Sequence, residues 1–309
     1  MLPAPADLTP ILAELGLHAV RSITRLEGGS SDVFRLDLED GTTVVFKAFV
    51  ADYLHPRKDA YAASLLEGID LPVTRYLMVD ESRTRLPFRF ALTSYLTGEI
   101  ATTFADHPRY MDIFRQIGTV ARRLHEIRLP AFGDIPPAGG AAQHATNLVY
   151  MRGQVDGSFA RFLEFGGDPV MTMKLREMVE RDFDVVVPQS GPAVFAHSDL
   201  QPHNILAQER DGELMLSGVI DYGNMRAESA AMDLAKTVFC SEHDAPGSGP
   251  AILEGYGPLN HPEPARALTF YTLLHRLTMW SWLRKFGALP SADTPSDIIE
   301  ALRATAAAA

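Results

Sequence analysis

Hydrophobic and polar positions alternate in two early stretches, Val33 to Glu39 and Thr43 to Phe49, with Asp40-Gly41 between them. Alternation sends successive side chains to opposite faces of a strand, and an Asp-Gly pair tolerates the positive φ angles of a tight turn. The two runs are therefore expected to pair as an antiparallel hairpin. Arg21 to Leu26 supplies a third strand, reached through a bend at Glu27-Gly28-Gly29-Ser30-Ser31. Asp59 to Leu66 has helical composition, and strand character returns over Phe88 to Leu96 before a break at Thr97-Gly98-Glu99.

Beyond that break the period changes. Tyr110, Ile113, Phe114, Ile117, Val120, Ala121, Leu124 and Ile127 recur at three-and-four spacing, which gives a helix one buried stripe. Gly133 to Gly140, with two prolines, reads as a loop. Val170 to Val187 and Pro264 to Phe286 read as further helices, the second closed by Gly287 and Pro290. No repeat of fixed period occurs. The pattern predicts an α+β protein with a small β-rich lobe over residues 1–97 and a larger, mainly helical lobe over residues 98–309.

One β-rich island interrupts the helical half. Val194 to Ala196 leads into His197-Ser198-Asp199-Leu200-Gln201-Pro202-His203-Asn204, then an apolar run, a turn at Asp211-Gly212, and a second run ending at Val219-Ile220-Asp221. Counted outward from that turn, Asn204 lies about seven residues back and Asp221 about nine forward, so the two meet near the open end of a ribbon whose strands are roughly 4.8 Å apart. Mg²⁺ takes hard oxygen ligands and commonly only one or two from protein, a requirement Asn204 and Asp221 meet. Asp199, on the loop leaving the first strand, is placed to accept a proton from a hydroxyl in line with a terminal phosphate.

Composition narrows the field. The 309 residues are 46% hydrophobic, enough for a core divided over two lobes. A net charge of −11 argues against a nucleic-acid binder and mildly favours a cationic small partner. Cys240 is the only cysteine, so no intrachain disulfide or thiolate cluster can form and a reducing cytoplasm is the natural setting. Met1-Leu2-Pro3-Ala4-Pro5 has no basic region before an apolar stretch, and no run approaches the roughly 18 to 20 apolar residues a membrane span needs, so neither export nor a membrane anchor is expected. No charge run marks a protein partner. Phe270, Tyr271, Leu274, Trp280 and Trp282 fit either a core helix or a pocket wall, and Glu242, Asp244, Glu254 and Glu263 fit either a solvated surface or a seat for an amine.

Taken singly, Asp199 could cap a helix, Asn204 sit in a turn, Asp221 end a strand and His197 be a satisfied core histidine. Their order and spacing carry more. His197-x-Asp199-x4-Asn204 followed by Asp221-Tyr222-Gly223 resembles the catalytic and metal-binding loops of the aminoglycoside phosphotransferase and choline kinase-like superfamily, and Leu124-His125, Phe132-Gly133 and Asp233-Leu234-Ala235 extend the resemblance over most of the chain. The resemblance implies a bilobal protein-kinase-like fold and an ATP-dependent (or GTP-dependent) small-molecule kinase using Mg²⁺. Asp199 would be its catalytic base, Asn204 and Asp221 its metal ligands, and His197 and Asp233 supports of the catalytic loop. It further assigns Lys47 to the nucleotide phosphates, Asp59 as the partner of Lys47 in place of the family's glutamate, Ser30 and Ser31 to a phosphate-covering turn, and Ser94 and Tyr95 to the lobe connection beside the purine. No Walker-type GxxxxGK[ST] occurs.

The implied substrate is a small hydroxylated molecule, with an aminoglycoside or similar aminated antibiotic leading. Choline, homoserine, methylthioribose, macrolides and fructosamines are alternatives. Two other readings stay open at this point: a metal-dependent hydrolase built on His197, Asp199 and His203, and a nucleotide-binding pseudokinase scaffold.

Overall fold

The alternating runs form strands for the reason their patterning suggests: each has one apolar face that only a second layer can cover. In the computed structural model, which describes residues 4–26, 31–51 and 53–308, helix α1 (Pro5–Glu14) precedes β1 (Val20–Leu26), β2 (Asp32–Leu38) and β3 (Thr43–Phe49). Helix α2 (Pro56–Ser64), β4 (Tyr76–Asp80), β5 (Arg89–Ser94) and β6 (Glu99–Ile100) follow. Strands β1 to β5 make one antiparallel sheet in the order β1-β2-β3-β5-β4. Phe34, Leu36, Phe46, Phe90 and Leu92 project from one face onto Leu8, Ile11 and Leu12 of α1, forming a closed apolar core. Phe46 and Phe90 stack with ring centroids 5.3 Å apart.

The remaining chain alternates helices with short strands: α3 (Tyr110–Leu124), β7 (Gly133–Asp134), α4 (Asn147–Glu164), α5 (Pro169–Val186), β8 (Val194–Ala196), β9 (Ile205–Arg210), β10 (Glu213–Val219), β11 (Arg226–Glu228), α6 (Ala230–Asp244), α7 (Gly249–Tyr256), α8 (Pro264–Lys285) and α9 (Asp297–Ala307). Local chemistry sets the helix starts. Thr146 accepts the Val149 N–H ahead of α4, and Asp168, followed by Pro169, accepts the Met171 N–H ahead of α5. Phe270, Tyr271, Leu274 and Trp280 of α8 are buried, so four of the five ambiguous residues are core; Trp282 is 53% exposed.

Asp211 and Gly212 both adopt positive φ, 54° and 78°, and close the β9–β10 hairpin with a two-residue turn. A register shift between Leu216 and Gly218 then pairs Val219 with Ile205.

The chain divides into two compact units. The first contains residues 1–113, 135–141 and 202–225; the second contains residues 114–134, 142–201 and 226–309. The physical reason is pairing. Glu99 and Ile100 of β6 bond to Ala207 and Leu206 of β9, and Val73 bridges Val219, which draws the 202–225 ribbon into the first unit. Gly98 permits this approach: at φ 123°, a Cβ there would meet the Ala207 carbonyl oxygen at 2.8 Å.

Candidate active site

In the first unit, three charged side chains converge. Lys47 lies on β3 on the face opposite Phe46, because neighbouring strand residues point to opposite sides. Its Nζ is 3.3 Å from Asp59 Oδ2 on α2 and 3.7 Å from Asp221 Oδ1 just beyond β10. Tyr76 at the start of β4 donates its hydroxyl to the same Asp59 oxygen at 3.1 Å. Asp59 is buried, whereas 43% of the Asp221 side chain is exposed.

Asp221 has a φ of 64°, an unfavourable backbone state for a residue with a Cβ, and its neighbour explains how that state is held. The buried Tyr222 hydroxyl donates to the Val219 carbonyl at 2.7 Å and accepts the Thr74 N–H at 3.2 Å. Gly223 leaves space where the two acids crowd: a Cβ there would lie 3.3 Å from Asp59 Oδ1 and 3.4 Å from Asp221 Oδ1. Asn204 ends the turn Pro202–Asn204, and its carbonyl accepts the Ile220 N–H at 3.0 Å, so it stands across the ribbon from the residue before Asp221.

The electrostatics follow from this crowding. Burial opposes charge on Lys47, but Asp221 and Asp59 outweigh it and hold the ammonium above its ordinary range. Burial pushes the Asp59 carboxyl up, and the Lys47 ammonium opposes that only in part. Burial, reinforced by Asp59, drives Tyr76 well above the usual phenol range, so it remains a donor. One ammonium thus serves two acids. Asn204 and Asp221 supply an amide and a carboxylate, a hard-oxygen set that fits a Mg²⁺ ion keeping its other positions for phosphate and water.

In the second unit, β8 ends at Ala196 and delivers the loop carrying Asp199. His197 is fully buried, and the next residue, Ser198, takes a left-handed φ of 58°. Asp233 on α6 holds both, accepting the His197 N–H at 3.0 Å and the Ser198 N–H at 2.8 Å. Lys236, one turn along α6, donates to the Ser198 carbonyl. Asp233 is held in turn: its Oδ2 lies 2.9 Å from His125 Nε2, while His125 Nδ1 lies 2.9 Å from the Tyr256 hydroxyl. Burial alone would raise the Asp233 carboxyl. The His125 hydrogen bond, the histidine charges and the Ser198 amide bring it below its ordinary value. Gln201 Nε2 donates to Asp199 Oδ1 at 3.1 Å.

The structure thus brings Lys47, Asp59, Asn204 and Asp221 into one unit, and His197, Asp199 and Asp233 into the other. Ser31 is a half-buried bend residue; Ser30 lies outside the described residues. Ser94 Oγ accepts the Arg75 N–H at 2.9 Å, and the Tyr95 ring lies under the Arg35 guanidinium at 4.9 Å. The hydrolase reading requires His197, Asp199 and His203 around one ion, yet among the described residues no three His, Cys, Asp or Glu side chains gather to hold a metal. Among the described residues, too, no helix is long and apolar enough to cross a membrane.

Tyr76 and Lys236 escaped the sequence reading. Lys236 had a usable signal, since its i+3 spacing from Asp233 puts both on one helix face. Tyr76 had none, for reasons of register described below.

The profile of the phosphotransferase enzyme family matches residues 22–268. Comparison with curated protein sequences gives no match. Among solved structures, aminoglycoside phosphotransferase APH(4)-Ia superposes with a TM-score of 0.68 at 15% identity, covering 99% of this chain and 98% of that one. A thermostable mutant of that enzyme, in a ternary complex with AMP-PNP and hygromycin B, gives 0.67 at 16% identity over 98% and 97%. The GDP and kanamycin complex of APH(2")-IIia gives 0.65 at 15% identity over 99% of each chain. These similarities show a shared protein-kinase-like fold.

Proposed function

Because this chain belongs to the phosphotransferase enzyme family, we propose that it is an ATP-dependent small-molecule kinase that moves the γ-phosphate to a substrate hydroxyl. The observation that carries this reading is the convergence of Lys47, Asp59 and Asp221 within one unit, with Asn204 at the neighbouring ribbon end. Asn204 and Asp221 as hard-oxygen donors, beside a Lys47 ammonium held by Asp59, suit a magnesium-bound triphosphate, whose cation offsets the two carboxylates.

In this mechanism Lys47 binds phosphate oxygens while Asp59 keeps its ammonium in place. Asn204 and Asp221 would hold Mg²⁺, which when bound supplies charge neutralisation at the phosphates. Asp199 accepts the proton of the substrate hydroxyl as its oxygen bonds to the terminal phosphorus and the bond to the departing diphosphate breaks. A loose transition state asks little basicity of the acceptor, so an ordinary carboxylate serves. Asp233 holds the backbone that presents Asp199, and Gln201 fixes one carboxylate oxygen.

For the acceptor, an aminoglycoside or a similar aminated, polyhydroxylated compound leads. Support comes from the chain's net charge of −11 and from structural neighbours solved with hygromycin B and kanamycin. The test is a screen of aminoglycosides, choline, homoserine, methylthioribose, macrolides and fructosamines with ATP and Mg²⁺, following ATP consumption and an added phosphate by mass spectrometry. Asp199→Asn is expected to retain nucleotide binding and to lower transfer by about 10²-fold or more. Unchanged turnover in that variant would remove Asp199 from the mechanism.

A further inference from the structure

A buried carboxylate shared between a lysine and a phenol is unusual enough to need a reason, and strand register provides the first part of it. Across the sheet Lys47 pairs with Ala91, and Tyr76 pairs with Thr93, so Tyr76 and Lys47 lie on the same face. That outcome depends on an irregularity in β4. Two β4 residues, Tyr76 and Met78, face consecutive β5 residues, Thr93 and Leu92. Without the extra residue Leu77 would oppose Thr93 and occupy the Lys47 face; instead it is 41% exposed. A bulge re-aims a side chain, and here it turns a phenol toward α2.

The second part is reach. Asp59 is one methylene shorter than a glutamate, and its contact with Lys47 is long for a charge-assisted bond at 3.3 Å. The acid is buried and has Asp221 as a like-charged neighbour across Gly223, a poor setting for a carboxylate held by one distant donor. Tyr76 adds a neutral donor at 3.1 Å on the same oxygen, so Asp59 stays placed even when Lys47 directs its protons to another anion.

We propose that Tyr76 is a positioning residue of the phosphate site, its phenol holding Asp59 so that Lys47 is free to engage a triphosphate. This rests on the nucleotide-binding reading above. The strap carrying Tyr76 is itself tied to the metal loop: Val219 N–H donates to the Pro72 carbonyl at 2.8 Å, and the Tyr222 hydroxyl accepts the Thr74 N–H. Tyr76 therefore couples α2 to the backbone that presents Asp221.

The test is calorimetric titration of the full chain with Mg²⁺·AMP-PNP and, separately, with adenosine, in wild type, Tyr76→Phe, Asp59→Glu and the double variant. Tyr76→Phe is expected to weaken AMP-PNP about fivefold to tenfold, the scale of one ordinary hydrogen bond, with adenosine affinity unchanged. In the Asp59→Glu background, where the longer acid reaches Lys47 unaided, the same change should cost less than twofold. An AMP-PNP affinity indifferent to Tyr76→Phe, an equal loss for adenosine, or an undiminished loss beside Glu would each overturn the assignment. A wild type that binds no Mg²⁺·AMP-PNP would instead overturn the nucleotide-binding reading.

Discussion

Ser198 concentrates much of the site's design in one residue. A β-carbon at φ 58° costs on the order of 1 kcal/mol and persists only where surroundings over-determine it. Here Asp233 takes its N–H and Lys236 reaches its carbonyl, so neighbouring turns of α6 grip both ends of the residue. The gripped carbonyl belongs to the peptide bond leading into Asp199, and fixing that plane fixes where the carboxylate begins. Lys236→Met should therefore lower turnover with the acceptor found in the screen by about tenfold, because small displacements of a reacting group are costly. Mg²⁺·AMP-PNP affinity should stay within twofold, since Lys47, Asp59 and Asp221 belong to the other unit. Lys236→Arg keeps a cationic donor and should recover part of the rate. Steady-state kinetics beside calorimetry separates the two quantities, and a matched loss in nucleotide affinity would show that Lys236 acts on the fold at large.

Helix crossings set the next layer of precision. At Gly118 of α3 a Cβ would lie 2.0 Å from the Ile252 carbonyl oxygen of α7, and at Gly255 of α7 another would lie 1.8 Å from the Arg115 carbonyl oxygen of α3. Only glycine on both sides permits so close a backbone contact, and the contact has a purpose. The residue after α3 is His125 and the last residue of α7 is Tyr256, whose hydroxyl meets His125 Nδ1. Gly118→Ala should destabilise the protein by about 2 kcal/mol or more, despite alanine's better helix propensity. Gly153→Ala on α4, where a Cβ meets nothing within 4 Å, should stabilise it by about 0.5–1 kcal/mol. Urea unfolding midpoints compare them, and two shifts of the same sign would refute the argument. Elements with a local cause were legible before folding was considered. Asp211-Gly212 announced its hairpin because both residues accept positive φ, and Lys47 could be placed because strand alternation is local. Tyr76 could not, because a bulge decides its face, and neither could the glycine crossing, whose partners are more than a hundred residues apart in the chain. The membership of residues 202–225 in the first unit was hidden likewise: β6 pairs with β9, a segment that only long-range register brings near.

At the scale of the whole molecule, core packing and the loop carrying Asp199 meet at a histidine. His275 on α8 lies with Nε2 2.9 Å from the Met232 carbonyl oxygen, one residue before Asp233 on α6. Burial, aided by the nearby Lys236 charge, pulls its pKa from 6.5 down to about 4. The unfolded chain therefore takes up a proton below pH 6.5 that the folded chain refuses until about pH 4, so acid favours unfolding within that window and has no such effect above it. At pH 5 the loss relative to pH 7 is at most about 2 kcal/mol from this residue. Asp233 acts in the same direction but lower on the scale. Its carboxyl sits below the ordinary 3.8, so the stability it contributes is present above that value and fades as pH falls through its folded value. The two windows barely overlap, which makes them separable. His275→Gln keeps an amide donor for the Met232 carbonyl and cannot titrate. Its unfolding free energy in urea should change less than that of wild type between pH 7 and pH 5, and the two proteins should become parallel again below pH 4. Equal slopes between pH 7 and pH 5 would mean that His275 takes up its proton as readily in the folded state as in the unfolded chain, and that acid sensitivity enters the α6–α8 contact from elsewhere.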